Sequence, residues 1–277
     1  MAEKSDALSG KVALITGAAS GIGRVIAEVF AQRGISVVIA DYQEDAAMAV
    51  ALKLQENGLQ ALSVKADLRK ESDIQAMVDF TIEEFGQLNI IVNNARPRLK
   101  YLEFSESLQE WDFALDVLLK APALTINAAL PALVKSGGGS IINIGSTLAH
   151  FVAHQPLAYH VGKAGLLQLT RYLASELAPK GIRVNAICPA IVDLPEENRK
   201  LTADPVNRSV VELAVPMARA SSAEEIAEAA LFFCQGSSSY ITGQTLSVDG
   251  GLTLGEHFHI ARQAFLKGQE SLTESTS

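Results

Sequence analysis

The 277-residue chain predicts an α/β fold: one doubly wound parallel sheet of about seven strands, with helices on both faces. Three observations predict it. Short apolar runs alternate with segments of helical spacing along nearly the whole length. A glycine-rich turn joins the first run to the first helix, and the candidate ligand-binding residues fall where the runs end. The elements follow in strict turn. The segment 11–19 begins as an apolar run too short for a helix, and 21–33 then carries Ile22, Ile26, Val29 and Phe30 at helical spacing. A strand over 37–40 ends at Asp41. Helix 44–57, strand 60–65, helix 71–85 and strand 88–92 come next, then a long helix over 107–135. Strand 140–145, helix 157–178, strand 182–187, helix 223–234 and strand 245–248 complete the pattern. Residues 194–220 mix polar and apolar positions around Pro195 and Pro205, and read as a lid over a substrate. The extension 252–277 has helical spacing at Phe258, Ala261 and Phe265 and then a polar tail, 269–277, expected to be disordered. No composition break divides the chain, so 1–277 is read as a single domain.

Composition narrows the partners. A net charge of −8 and a pI near 5.2 argue against nucleic acid and anionic membranes. No uninterrupted apolar run reaches the roughly 18–20 residues that span a bilayer, and the polar start lacks a signal-peptide core. The expectation is a cytoplasmic protein acting on a small molecule. Cys188 and Cys234 both lie in apolar segments, as small buried thiols do.

Two motifs carry chemistry. Gly17, Gly21 and Gly23 are spaced G-x-x-x-G-x-G between the first strand and the first helix. Such a turn offers free backbone N–H groups at the positive end of a helix, which suits a pyrophosphate, although many glycine-rich turns are only turns. Asp41 lies 18 residues after Gly23, near the spacing expected of a carboxylate that accepts from both ribose hydroxyls. It would repel a 2′-phosphate, and neither the turn nor Tyr42 supplies a cation, so NAD is expected over NADP; the plain alternative is a solvated strand-end acid. The second motif is Tyr159 with Lys163, four residues apart and so on one helical face. A cation there favours the deprotonated phenol. Ser146 stands 13 residues before Tyr159, where a strand ends, and can offer its hydroxyl to the same oxygen. A tyrosine, a lysine and a serine around one oxygen suit hydride transfer at an alcohol or carbonyl. On its own the Y-x-x-x-K pattern is as readily an exposed pair on a helix. His150, His154 and His160 crowd the same segment without a carboxylate or cysteine to complete a metal site, so no metal is expected there or at His257 and His259. His154, five residues before Tyr159, is placed to face a substrate.

Jointly the segments TGAASGIG (16–23), ADL (66–68), NNA (93–95), Ser146 with YHVGK (159–163), RVNAICP (183–189) and TGQTLSVDGG (242–251) resemble the short-chain dehydrogenase/reductase family, over nearly the whole chain. The resemblance implies a Rossmann-like fold and roles for specific residues. Gly17, Ser20, Gly21, Ile22 and Gly23 would line the pyrophosphate and ribose, and Asp41 would hold the adenosine ribose. Asp67 and Leu68 would flank the adenine, and Asn93 and Ala95 the central ribose. Pro189 and the backbone of Val192 would fix the carboxamide, while Ser146, Tyr159 and Lys163 would do the chemistry. It also implies a homotetramer that buries the helices 107–135 and 157–178 between subunits.

The departures from that family are specific. NNAG becomes NNAR, which places Arg96, followed by Arg98 and Lys100, beside the nicotinamide side. This is either a solvated basic loop or a clamp for an anionic substrate group. The family's helix asparagine, a member of its proton relay, is Leu118, which lies against the substrate and cannot hydrogen-bond through its side chain. Pro122, four residues on, has no N–H, so it should bend the helix and free the Leu118 carbonyl to hold a water. The family's Pro-Gly is Pro189-Ala190, and a threonine expected soon after is Leu194. The leading expectation is an NAD-dependent oxidoreductase acting on a secondary alcohol or ketone, with an anionic group on the substrate as an open variant. The alternatives are a dinucleotide binder with little turnover, in a sensing or assembly role, and a non-redox isomerase or dehydratase using the same three residues.

Overall fold

In the computed structural model, which describes residues 8–99, 107–194, 196, 200–256 and 260–266, the strands alternate side chains between two apolar faces. The elements in order are β1 (Val12–Thr16), α1 (Gly21–Gln32), β2 (Ser36–Asp41), α2 (Glu44–Glu56), β3 (Ala61–Lys65), α3 (Glu71–Phe85) and β4 (Ile90–Asn93). Then come α4 (Leu108–Leu115), α5 (Ala121–Lys135), β5 (Gly139–Ile144), α6 (Leu157–Leu177), β6 (Ile182–Pro189) and β7 (Val192–Asp193). Last are α7 (Pro205–Ala214), β8 (Ser221–Ser222), α8 (Ala223–Cys234) and β9 (Thr245–Val248). Seven strands form one sheet in the order β3-β2-β1-β4-β5-β6-β9, and every pairing is parallel. Along β1, Ala13 and Ile15 pack with α1, α2 and α8, while Leu14 between them packs with α3, α5 and α6. Both faces are therefore buried, as right-handed crossovers from strand to helix require of a parallel sheet. The chain order reverses between β1 and β4, which opens a crevice at their carboxyl ends.

The expected elements all form, with ends shifted by a residue or two; β4, for example, runs to Asn93 and β6 to Pro189. Three features differ from the expectation. The long helix is interrupted ahead of Pro122 by a π-helical turn over Asp116–Lys120 that joins α4 to α5, with the Ala121 N–H donating to the Asp116 carbonyl five residues back. A proline ring crowds the carbonyl four residues before it and donates nothing, and a widened turn meets both demands. The segment 194–220, expected as a lid, contains α7, capped by the Asp204 carboxylate, and is flanked on its two sides by β7 and β8, which form a short parallel pair.

The third difference concerns membrane-spanning capacity. By length and composition the helix Leu108–Lys135 is sufficient to cross a bilayer, with a mean hydropathy of 1.6 over 18 residues, which corrects the expectation that no segment is. Half of that window is buried in the fold, against α3, α6 and the sheet, as a core helix would be. Residues 260–266 are helical, in keeping with the spacing seen there. Lys100, Pro195, His257, Phe258, His259 and the tail 269–277 lie outside the described residues.

Candidate active site

The glycine turn is shaped by what lies behind it. Gly17 has φ +63°, and a Cβ there would come within 2.6 Å of the Ala95 Cα. A Cβ on Gly23 would sit 2.3 Å from Asn94 Nδ2 and 2.4 Å from the Gly17 carbonyl oxygen. Only glycine lets the turn lie this close to the end of β4. Asn94 is the residue that sequence reasoning missed. Its side-chain amide donates to the carbonyls of Thr16 (3.0 Å) and Gly17 (2.9 Å), while its own N–H donates to Thr16 Oγ1 (3.1 Å). Its place inside NNA was the only available signal, and its function there is to clamp β1's end to β4's. The neighbouring Asn93 is buried and donates its amide to Asn143 Oδ1 (2.8 Å); Asn143 in turn donates to Thr170 Oγ1 on α6 (2.9 Å). This polar chain ties β4, β5 and α6 together, which fixes α6 against the sheet ends.

Asp41 closes β2 and is 7% exposed. Its carboxylate accepts from the Ala19 N–H (3.1 Å) and the Gln43 N–H (3.0 Å), so it steadies the turn while each oxygen keeps a free lone pair. At the end of β3 the Asp67 carboxylate is engaged by Arg69, whose hydrogen bonds hold it below the usual carboxylate range. Leu68 packs against the α3–α5 side of the core. Ser20 precedes α1 with an extended backbone and makes no side-chain cap. Ile22 packs, partly buried, against the core of that face, and the Gly21 N–H donates to Glu196 Oε1 (3.1 Å).

The residues read as carrying the chemistry lie just beyond β5 and on the first turns of α6. Ser146, two residues beyond that strand, is 7% exposed, and its hydroxyl accepts from the Leu148 N–H (3.2 Å) to start a 3-10 turn. Tyr159 and Lys163 lie one turn apart on α6, with the Lys163 Nζ 5.7 Å from the tyrosine ring centroid. Lys163 is 3% exposed and donates from Nζ to the Ile144 carbonyl (2.5 Å), which holds its head beside Ser146. Burial lowers its pKa to about 7; the Arg96 charge adds to the effect and Cys188 opposes it. Cys188 is fully buried at the end of β6, and burial pushes its thiol up to about 11, where it is inert at neutral pH. Cys234 is likewise buried, with its thiol pushed up to about 12.

The substrate side has an apolar wall and a cation. Leu118 is 1% exposed and packs with Ala114, Ala158 and Tyr159, so its place beside that ring carries no side-chain hydrogen-bonding group. Gly162 makes room for it, since a Cβ there would be 3.0 Å from Leu118 Cδ1. Arg96 follows β4, is exposed, and sets its Cζ 6.0 Å from the Tyr159 ring centroid. Among the described residues it forms no ion pair. Arg98 is exposed as well. Pro189 ends β6 and its carbonyl accepts from Thr147 Oγ1 (3.4 Å), while Val192 is fixed in β7 and Leu194 packs on the core. His154 is exposed on the turn before α6. His160 is spent locally: its Nδ1 lies 2.9 Å from the Pro156 carbonyl and its Nε2 accepts from the Ala153 N–H at 3.2 Å. Among the described residues no three His, Cys, Asp or Glu side chains cluster as metal ligands would.

Comparison with known proteins agrees with this arrangement. Residues 17–253 match the family model described as Enoyl-(Acyl carrier protein) reductase. The chain is 35% identical over 250 residues to glucose 1-dehydrogenase 2 of Bacillus subtilis, covering 89% of this chain and 96% of the relative. It is 35% identical over 254 residues to the NAD-dependent glycerol dehydrogenase of Listeria innocua, covering 91% and 97%. With D-threitol dehydrogenase of Mycolicibacterium smegmatis it shares 36% over 248 residues, covering 89% and 94%. A crystal structure of a putative short-chain alcohol dehydrogenase from Sinorhizobium meliloti superimposes with a TM-score of 0.83 at 29% identity, covering 90% of this chain and 98% of that one. By this family match, these relatives and the shared parallel sheet, the chain belongs to the short-chain dehydrogenase/reductase family.

Proposed function

We propose that this protein is an NAD(H)-dependent oxidoreductase that interconverts a secondary alcohol and a ketone on a substrate carrying an anionic group. The observation that carries the reading is the placement of Lys163: a buried cation, bonded to the Ile144 carbonyl, one helical turn from Tyr159 and next to Ser146. The residues around the glycine turn fit a dinucleotide, because the turn leads from the end of β1 into the N-terminus of α1, whose first N–H groups donate to an anion, and the Asp41 carboxylate closes β2 beside it. Gly17, Ser20, Gly21, Ile22 and Gly23 would hold the pyrophosphate, Asp41 the adenosine ribose, Asp67 and Leu68 the adenine, and Asn93 and Ala95 the central ribose. Pro189 and Val192 would hold the carboxamide. When bound, the nicotinamide supplies the hydride acceptor for alcohol oxidation, or the donor in the reverse direction.

This chain's residues then manage the proton. Ser146 holds the substrate oxygen, Tyr159 takes its proton in oxidation or returns it in reduction, and Lys163 stabilises the phenolate and meets the cofactor ribose. The Leu118 carbonyl, left without a donor at Pro122, is the group placed to anchor a water in place of a side-chain amide. NAD is favoured over NADP because Asp41 is a buried carboxylate at the end of β2, and because one relative carries an NAD-dependent name. The relatives' names concern glucose, glycerol and threitol, all neutral polyols. Arg96 departs from a neutral pocket, as an exposed guanidinium near the phenol that forms no ion pair among the described residues. His154 and Leu118 complete the substrate wall. The chain acts as one domain of a cytoplasmic homotetramer, with the exposed Leu157, Val161 and Tyr172 of α6 covered between subunits.

The test is a panel of hydroxy acids and neutral polyols with NAD, and of keto acids and neutral ketones with NADH. Arg96→Ala should raise KM for acids about 10- to 100-fold, the value of a lost charge-assisted pair, while sparing neutral compounds; Arg96→Lys should recover part of it. An unchanged KM for the acids would remove the anionic group from the reading. The rival, a dinucleotide binder with little turnover, is favoured by the apolar Leu118 beside the phenol and by the altered nicotinamide side at Arg96, Ala190 and Leu194. Tight NADH binding with no oxidation across the whole panel would select it.

A further inference from the structure

We propose that Glu196 competes with the anionic bridge of the dinucleotide for the N-terminus of α1, so that loading the cofactor requires this carboxylate to leave. The inference rests on the reading of the glycine turn as the dinucleotide site. Glu196 lies three residues beyond β7, yet its Oε1 accepts from the Gly21 N–H at 3.1 Å, across 175 residues of sequence. Gly21 is the first residue of α1, and Ser20 before it supplies no side-chain cap. The N–H that a phosphate would use is thus already satisfied by a carboxylate.

A second contact fixes the same group. Arg24, one turn into α1, places Nη2 3.7 Å from Glu196 Oε1 and Nε 3.8 Å from Glu28 Oε1. The side chains of Arg24 and Glu196 are 26% and 24% exposed, so water screens the pair only partly. A carboxylate on a helix N-terminus beside a guanidinium satisfies the same electrostatic demand that a phosphate does. Two anions on one N–H repel, and only one can accept its hydrogen in good geometry.

The consequence is a linkage. The apparent cofactor affinity is the intrinsic affinity multiplied by the fraction of molecules in which Glu196 has vacated the turn. By reciprocity, a bound dinucleotide shifts Glu196 away and frees Arg24 to face its phosphates. Glu196 follows Val192 and Leu194 in sequence, so its position is tied by a short stretch of chain to the wall beside the nicotinamide side of the crevice.

The experiment is NADH titration by fluorescence on the full-length wild type, Glu196→Gln and Glu196→Ala, with the thermal shift produced by inorganic pyrophosphate as a readout independent of turnover. Both variants should bind NADH about three- to tenfold more tightly, and pyrophosphate should raise their melting temperature more than it raises that of the wild type. Equal or weaker NADH binding by both variants, with wild-type circular dichroism, would overturn the competition while leaving the dinucleotide site standing. Failure of all three proteins to bind NADH or NADPH would instead remove the dinucleotide reading, and the competition with it.

Discussion

The turn after β1 and the first turns of α6 are built on opposite principles. The glycine turn is made of backbone: it carries no charge of its own, and its walls are the Asn94 amide and the Ala95 Cα, at distances that forbid a Cβ. The α6 site is made of side chains, and at its centre is a cation that burial makes costly. On the proposed reading the first would recognise an anion by shape and dipole, and a change of one carbon should disturb the fold itself. The second stores electrostatic work in a group whose removal should leave the fold intact or more stable. Binding and chemistry are therefore separable by mutation, and the direction of each stability change tells which kind of site was touched.

The largest expected effect tests that separation at the chemistry end. Tyr159→Phe should lower kcat by about 10²–10⁴-fold, the range for loss of a positioned general acid–base group. Its NADH dissociation constant, measured by titration, should stay within about twofold. A collapse of both would break the comparison, because the phenol would then belong to the binding site as well.

Next in size is Gly23→Ala. Its Cβ would meet Asn94 Nδ2 at 2.3 Å and the Gly17 carbonyl oxygen at 2.4 Å. The first is held by two hydrogen bonds and the second is backbone, so a loss of about 2–3 kcal/mol in urea unfolding is expected, with weakened NADH binding. A variant as stable as the parent would show that the turn can retreat from β4.

The last expected effect is a slope across pH, and the hydrogen bond that Lys163 gives the Ile144 carbonyl offsets part of it. Lys163 has a pKa of about 7 in the folded protein against an ordinary 10.5. Between these values the unfolded chain binds more protons, so this group makes the ligand-free protein more stable as pH rises through the window. That contribution is lost as pH falls to about 7. Lys163→Met should remove the rise and be more stable than its parent near pH 7, by a margin that the unpaired Ile144 carbonyl reduces, with the gap closing toward pH 10.5. Urea unfolding of both proteins across that range checks it, and parallel curves would mean that the ammonium is better solvated than its burial implies.

Much of this was legible in the sequence because it depends on local rules. The strands read as apolar runs since both faces of a parallel sheet are covered, and α8 read to the residue since its apolar spacing is uninterrupted. The pairing of Tyr159 with Lys163 follows from helical geometry alone. What stayed hidden involved contacts between distant segments. Asn94 looked like part of a motif, and its double bond to the glycine turn spans 77 and 78 residues. Pro122 foretold a disturbance in the helix, but its form, a π turn that ends just before the proline, is seen only in the folded chain. Arg96 stood out as a departure from glycine, and its place beside the phenol is a fact of folding.

By itself, then, the sequence determined the alternation of strand and helix, the glycine spacing, the one-turn pairing on α6 and the family these imply, because each is written within a few residues or a single helical period. The tertiary structure alone decided that Lys163 loses its water, that Glu196 meets the Gly21 N–H from 175 residues away, and that the end of β4 presses on the turn. Burial and long-range proximity are properties of the packed sheet and helices together, and no local spacing encodes them.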